Sequence, residues 1–168
     1  MSDARIAQLE GRLAEMEARL AIMDLEARYA TTWDGGDAEG WAGLYTEEGC
    51  FDMAAVGQQE RQVFRGRTAL AEFCRQVDSF YKGLHYMHLP QIQVTGETAT
   101  ARIHFHWTGM YAPSSRYRGE RRAEGYYDVN YRKVDGRWLI EHRMEKAIGG
   151  MVVDGFDVYL DAAVQQTS

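Results

Sequence analysis

Asp34 and His85 are the residues of this chain whose types suit proton transfer. A carboxylate beside an imidazole makes a general base, because the carboxylate fixes the ring tautomer and raises its basicity. If the fold brings the two together, removal of a proton next to a carbonyl or a leaving group is the chemistry they offer. Asp34 follows Asp24-Leu25-Glu26-Ala27-Arg28-Tyr29 and precedes Trp41-Ala42-Gly43-Leu44-Tyr45 and Phe51-Asp52. His85 opens Leu84-His85-Tyr86-Met87-His88-Leu89-Pro90-Gln91-Ile92-Gln93-Val94, which leads into Gly96-Glu97-Thr98-Ala99-Thr100-Ala101-Arg102.

The other histidines invite a metal reading. His104 and His106 alternate along a strand and so share a face, and two imidazoles with a carboxylate form an accepted ligand set. Ala99, Ala101, Ile103, Phe105 and Trp107 occupy the opposite face, however, and that apolar face is the one to meet core and pocket. His104 and His106 therefore fall with Arg102 and Thr108 on the convex side, in an intersubunit or solvated role. His88 reads as structural. Neither a metal nor an organic cofactor is expected, since no glycine-rich phosphate loop is present either.

Elements to position the pair can be read along the chain. Ile6, Leu9, Leu13, Met16, Leu20 and Met23 recur at spacings of three and four, a heptad seam among good helix formers. The apolar phase continues through Ala27 and Ala30, which predicts one helix over residues 4–34, stopped by Asp34-Gly35-Gly36-Asp37. Asp37 caps a short second helix through Tyr45. Short strands over 50–55 and 62–65 flank Gly57, and a third helix over 67–77 presents Leu70, Phe73, Cys74 and Val77 on one face. Strands over 84–94 and 98–111 meet at Thr95-Gly96-Glu97, and strands over 121–133 and 137–147 meet at Asp135-Gly136, a strong hairpin signal. Tyr127 alternates inward with Val129 and Tyr131, lining either pocket or core, while Trp138, Ile140 and Met144 read as core. A short helix over 158–164 is expected in the tail. Helices first and an antiparallel sheet afterwards make an α+β domain.

The whole chain sets bounds on function. At 168 residues, 45% hydrophobic and 12% aromatic, it is long enough for one globular domain with a real core. A net charge of −6 without a Lys/Arg cluster argues against nucleic acid. No apolar run reaches the ~20 residues of a membrane span, and charge from Asp3 onward argues against a signal peptide. Cys50 and Cys74 lack CxxC spacing, so buried, inert thiols in a reducing cytoplasm are expected.

These elements, in this order, resemble the SnoaL-like family of the nuclear transport factor 2-like superfamily. The resemblance covers roughly residues 20–147 and rests on three stretches. These are the strand histidine His85 with Pro90-Gln91-Ile92-Gln93-Val94, the turn through Arg102, and a closing hairpin of Gly125-Tyr126-Tyr127-Asp128, Asp135-Gly136-Arg137-Trp138-Leu139-Ile140 and Arg143. It implies a cone, a curved antiparallel sheet wrapped by helices around an apolar pocket, as one domain over 1–168 with residues 1–20 an added helical extension. Relatives include scytalone dehydratase, hexachlorocyclohexane dehydrochlorinase and polyketide cyclases. In the first two, an Asp ending the first helix pairs with a His on the first long strand, the positions of Asp34 and His85 here. Tyr29 and Tyr45 fall where relatives place pocket tyrosines, and Trp107 and Tyr127 complete the expected lining. Many family members carry Asn four residues after the strand histidine; Leu89 stands there instead, which removes a polar group from the pocket.

The expectation is a cofactor-independent lyase or isomerase acting on a small, mostly hydrophobic, cyclic compound. His85 would take the proton, Asp34 would orient the ring, and Tyr29 and Tyr45 would hold an oxygen. Dehydration, double-bond shift, elimination and cyclisation all use these parts. The alternatives are a binding or assembly protein without chemistry and a hydrolase activating water, although no Asp-Arg-Asp set for the latter is evident. The unpartnered heptad seam predicts a homodimer or homotrimer.

Overall fold

The computed structural model describes residues 2–55, 60–112 and 119–153. Helix α1 spans Asp3–Asp34. At 1.5 Å per residue it is about 48 Å long, far longer than the core it meets. Its buried residues are Ala18, Ile22, Leu25, Glu26 and Tyr29. The heptad seam from Ile6 to Met23 is a different stripe, exposed by between 39% and 63%. Ala27, expected to extend that seam inward, is exposed. Ile22 and Met23 are one residue apart, which is about 100° round the helix. The core therefore takes a face beside the seam, and residues 2–17 bury nothing.

Gly35 and Gly36 end α1 by returning their N–H groups to Thr31 and Trp33. Gly36 has φ +69°, and a Cβ there would meet the Asp78 carboxylate at 2.9 Å, so both backbone and space require glycine. Helix α2, Ala38–Ala42, is capped by the Asp37 side chain, which accepts from the Gly40 N–H at 2.9 Å. It stops three residues short of Tyr45, the expected end. Tyr45 instead opens strand β1, Tyr45–Met53, where Arg67 clamps its carbonyl with two donors at 2.8 and 3.0 Å. Strand β2, Gln62–Arg65, pairs antiparallel with β1, and helix α3, Arg67–Phe80, buries Leu70, Ala71, Phe73 and Cys74.

The expected strand over 84–94 is two strands. β3 (Tyr81–Met87) and β4 (Gln91–Thr95) lie along successive parts of β5 (Thr98–Tyr111), separated by His88-Leu89-Pro90. Proline lacks the N–H that a continuous ladder needs. β6 (Glu120–Val134) and β7 (Arg137–Val153) form the hairpin foreseen at Asp135-Gly136, whose φ values of 49° and 76° suit a tight mirror-image turn. The sheet order is β2-β1-β7-β6-β5-β3, with β4 also on β5. It is mixed rather than purely antiparallel, because β1 runs parallel to β7.

One irregularity decides which β7 residues enter the core. Tyr131 pairs with Ile140 but Asn130 with His142, so Glu141 is an extra, bulged residue. The inward phase changes there from Trp138 and Ile140 to Arg143. Met144, expected in the core, is only partly buried, and Arg143 is fully buried in its place. The core joins the α1 stripe, Trp41, Leu44, Tyr45, Phe51 and Phe73 to the inner sheet face of Ala99, Ala101, Ile103, Phe105, Tyr127, Val129 and Tyr131. His104 points outward as expected, and His106 is half-buried on the same face. No helix among the described residues is long and apolar enough to cross a membrane. The expected turn at Gly57 and helix at 158–164 lie outside the described residues.

Candidate active site

Asp34 is the last residue of α1, and no basic residue occupies that turn. A carboxylate at the negative end of a helix dipole is unfavourably placed. Its compensation comes from β3. Asp34 Oδ2 accepts the His85 backbone N–H at 2.8 Å, and Oδ1 lies 2.7 Å from His85 Nδ1. The Asp34 and His85 side chains are only 12% and 5% exposed. Because an ionised carboxylate only accepts, the proton of the neutral ring is assigned to Nδ1. Nε2 is left with its lone pair, and the Tyr127 hydroxyl stands 3.3 Å from it.

An aromatic wall surrounds the imidazole. The rings of Tyr29, Trp33 and Phe105 centre 6.1, 6.3 and 6.3 Å away, and Phe105 stacks on Tyr127 at 4.3 Å. Trp107 is the cross-strand partner of His85 on β5. Tyr45 is buried beside Trp41, with its hydroxyl unpartnered. Burial drives the Tyr29, Tyr45 and Tyr127 phenols above their ordinary range, so all three stay protonated and able to donate.

A buried charge cluster underlies these tyrosines. Glu26 accepts from the Tyr131 hydroxyl at 2.7 Å and from Arg143 Nη2. The Arg143 guanidinium lies over the Tyr29 ring at 3.6 Å and the Tyr127 ring at 4.5 Å, with Nε and Nη1 unpartnered. Glu145, cross-strand from Tyr127 and two residues beyond Arg143, is pushed up to about 7 by burial, against the pull of Arg143. Sequence reasoning missed this cluster. Glu26 was detectable, since it stands four residues from Ile22 and three from Tyr29 on the core stripe. Arg143 and Glu145 were hidden by the bulge at Glu141.

One opening reaches Asp34 and a second lies beyond it; His85 lines neither. A cavity of about 10 Å³ lies against Asp34, lined in part by Trp33, Cys74, Asp78, Gly83 and Trp107; it has the scale of one water. An open groove of about 550 Å³ runs between β2 and α3, lined in part by Phe64, Phe73, Gln76 and Phe80. Val77 and Tyr81 line both. Of the four residues expected to line the pocket, Trp107 faces an opening, while Tyr29, Tyr45 and Tyr127 lie in the packed interior. The described residues contain no group of three or more His, Cys, Asp or Glu arranged to hold a metal. Cys74 is buried, and its thiol is pushed up to about 11 by burial.

A SnoaL-like domain profile matches residues 14–144. Among curated proteins none matches significantly. Among solved structures, a protein of unknown function from Mycobacterium tuberculosis is 29% identical, with a TM-score of 0.68 over 87% of this chain and 78% of that one. A putative scytalone dehydratase from Novosphingobium aromaticivorans is 20% identical, with a TM-score of 0.70 over 86% and 91%. The hexachlorocyclohexane dehydrochlorinase LinA-type3 from Novosphingobium barchaimii is 14% identical, with a TM-score of 0.72 over 86% and 95%. The last two likenesses speak for the fold alone. The profile spans most of the sequence and coincides with the helices and sheet that hold Asp34 and His85, and on that match the chain belongs to the SnoaL-like domain family.

Proposed function

We propose that this protein is a cofactor-free lyase or isomerase that removes a proton from a small, mostly hydrophobic, cyclic substrate. The observation that carries the reading is the doubly bonded Asp34–His85 contact, which leaves Nε2 as the basic nitrogen beside Tyr127. His85 Nε2 takes a proton from carbon next to a carbonyl or a leaving group. Asp34 holds the ring and stabilises the imidazolium that results. The Tyr127 phenol, kept neutral by burial and 3.3 Å from Nε2, stands nearest the developing charge, with Tyr29 and Tyr45 packed in the interior behind it. Two structural neighbours, a dehydrochlorinase and a putative scytalone dehydratase, support a lyase reading.

Assembly is part of the same reading. The exposed seam of α1 favours a homodimer or homotrimer, and the two free, buried cysteines favour a reducing compartment, the cytoplasm.

The deciding experiment follows deuterium entry into cyclohexanone and 2-tetralone by NMR in D₂O. Wild-type protein should raise exchange above the buffer rate. His85→Ala and Asp34→Asn should each lower that rate by about two or more orders of magnitude. Equal exchange by wild type and His85→Ala would sink the assignment.

A further inference from the structure

On the inner face of the sheet, two glycines make room for an indole. Gly83 and Gly109 are cross-strand partners, two residues along the strands from the His85–Trp107 pair and on the same face. A Cβ at either glycine would come within 2.5 Å of the Trp107 ring, so the indole lies directly on this glycine pair. Tyr81 meets the same ring edge-on at 6.2 Å.

Arg121 completes this surface from β6, paired with Gly109. It donates from Nη1 to the Tyr81 hydroxyl at 2.8 Å and to the Tyr111 hydroxyl at 3.3 Å, and its guanidinium lies 5.1 Å from the Tyr81 ring centre. Arg102, Arg122, Arg132 and Arg143 pair with Asp128, Glu120, Glu141 and Glu26. Arg121 differs, since both its acceptors among the described residues are tyrosine hydroxyls. A part-buried guanidinium with five donors, two of its bonds leaving from one nitrogen, is equipped to take a planar anion in a fork.

We infer that Arg121 is the anion-recognising residue of the site, and that the substrate class is a planar ring bearing a carboxylate or equivalent anion. The ring is held at Trp107 and Tyr81, and the anion at Arg121. Adjacent strands are about 4.8 Å apart and same-face residues about 6.7 Å. From β3 to β6 is two strands, so the Arg121 and His85 backbones are separated by roughly 12 Å. With both side chains reaching inward, that span matches one or two fused rings. Tyr81, which holds Arg121, also lines the groove and the dyad cavity.

This inference rests on the proposed reaction only in taking the dyad as the reacting end; the binding test is independent of turnover. Calorimetric titration would compare 2-naphthoate with its neutral counterpart 2-naphthylmethanol. Wild-type protein should bind the anion about tenfold more tightly, and the preference should shrink with added salt. Arg121→Gln should abolish the preference by weakening naphthoate alone, and Arg121→Lys should keep part of it. Equal affinity of wild type for anion and alcohol, no naphthoate binding at millimolar concentration, or unchanged naphthoate affinity in Arg121→Gln would each overturn the inference. If naphthoate binds as expected while the His85 and Asp34 variants retain wild-type proton exchange, the proposed reaction fails and anion recognition stands.

Discussion

Asp34 accepts two hydrogen bonds from one residue, His85, through separate carboxylate oxygens, at 2.8 Å from the backbone and 2.7 Å from the ring. The backbone bond locks the carboxylate to β3, and the ring bond then fixes the imidazole relative to the sheet. Asp34→Asn should therefore keep the position while losing the charge. An amide oxygen can still accept the backbone N–H, so the fold should survive with a change in stability of about 1 kcal/mol. Turnover should fall about a hundredfold or more, with substrate binding nearly unchanged. A larger loss of stability than of turnover, measured by denaturant titration and single-turnover kinetics, would make the contact structural.

The Glu26–Arg143 pair makes a different prediction, because both charges lie in the core. Removing one partner leaves the other uncompensated. Glu26→Ala should cost about 3–5 kcal/mol. Glu26→Ala with Arg143→Met removes both charges together and should recover much of that loss. Urea midpoints for the single and double variants measure it; a double variant as unstable as the single would refute the coupling.

Glu145 gives the protein a pH-dependent stability of definite sign. Its carboxyl is raised from 4.5 to about 7 in the fold, so the folded state holds this proton more tightly than the unfolded chain. The associated stability is complete below pH 4.5 and is lost as pH rises to about 7. Glu145→Gln should erase that slope, making the variant more stable than wild type at pH 8, by on the order of 2 kcal/mol. Melting temperatures of the two proteins from pH 4 to pH 8 test this; parallel curves would contradict it.

The pairing of Asp34 with His85 was legible only through the family resemblance; local pattern supplied where each residue stands. Asp34 is the last residue before a Gly-Gly stop, and His85 lies in phase with an alternating strand. Tyr127, Trp138 and Ile140 were legible for the same reason of period two. What failed had a nonlocal cause. The phase of β7 past Ile140 depends on a bulge that exists only because Tyr131 and Asn130 fix the register on β6. Alternation counted from Ile140 therefore pointed to Met144, where the fold turns Arg143 inward. The start of β1 at Tyr45 depends likewise on Arg67, twenty-two residues away. The role of Arg121 needed the placement of three strands. In sequence it is one of two adjacent arginines, and only the register with Gly109 separates the inward Arg121 from Arg122, which pairs with Glu120.

The last prediction concerns assembly. Leu9, Leu13, Met16 and Leu20 are each 46–63% exposed on a helix segment that touches little else in its own chain. One tether holds the start of the core-facing portion, where Arg19 donates to the Ile92 carbonyl at 2.7 Å while pairing with Glu15. Each large side chain moved from water into a seam gains roughly 1.5–3 kcal/mol. Several such side chains together exceed the ordering cost of a helix already formed. Two or three copies of α1 should therefore pack seam to seam. Light scattering at micromolar concentration should report a dimer or trimer. Leu13→Lys together with Leu20→Lys should convert it to monomer without lowering the helix and sheet content of residues 18–147. A monomeric wild type, or an oligomer that survives both lysines, would place the seam outside the interface.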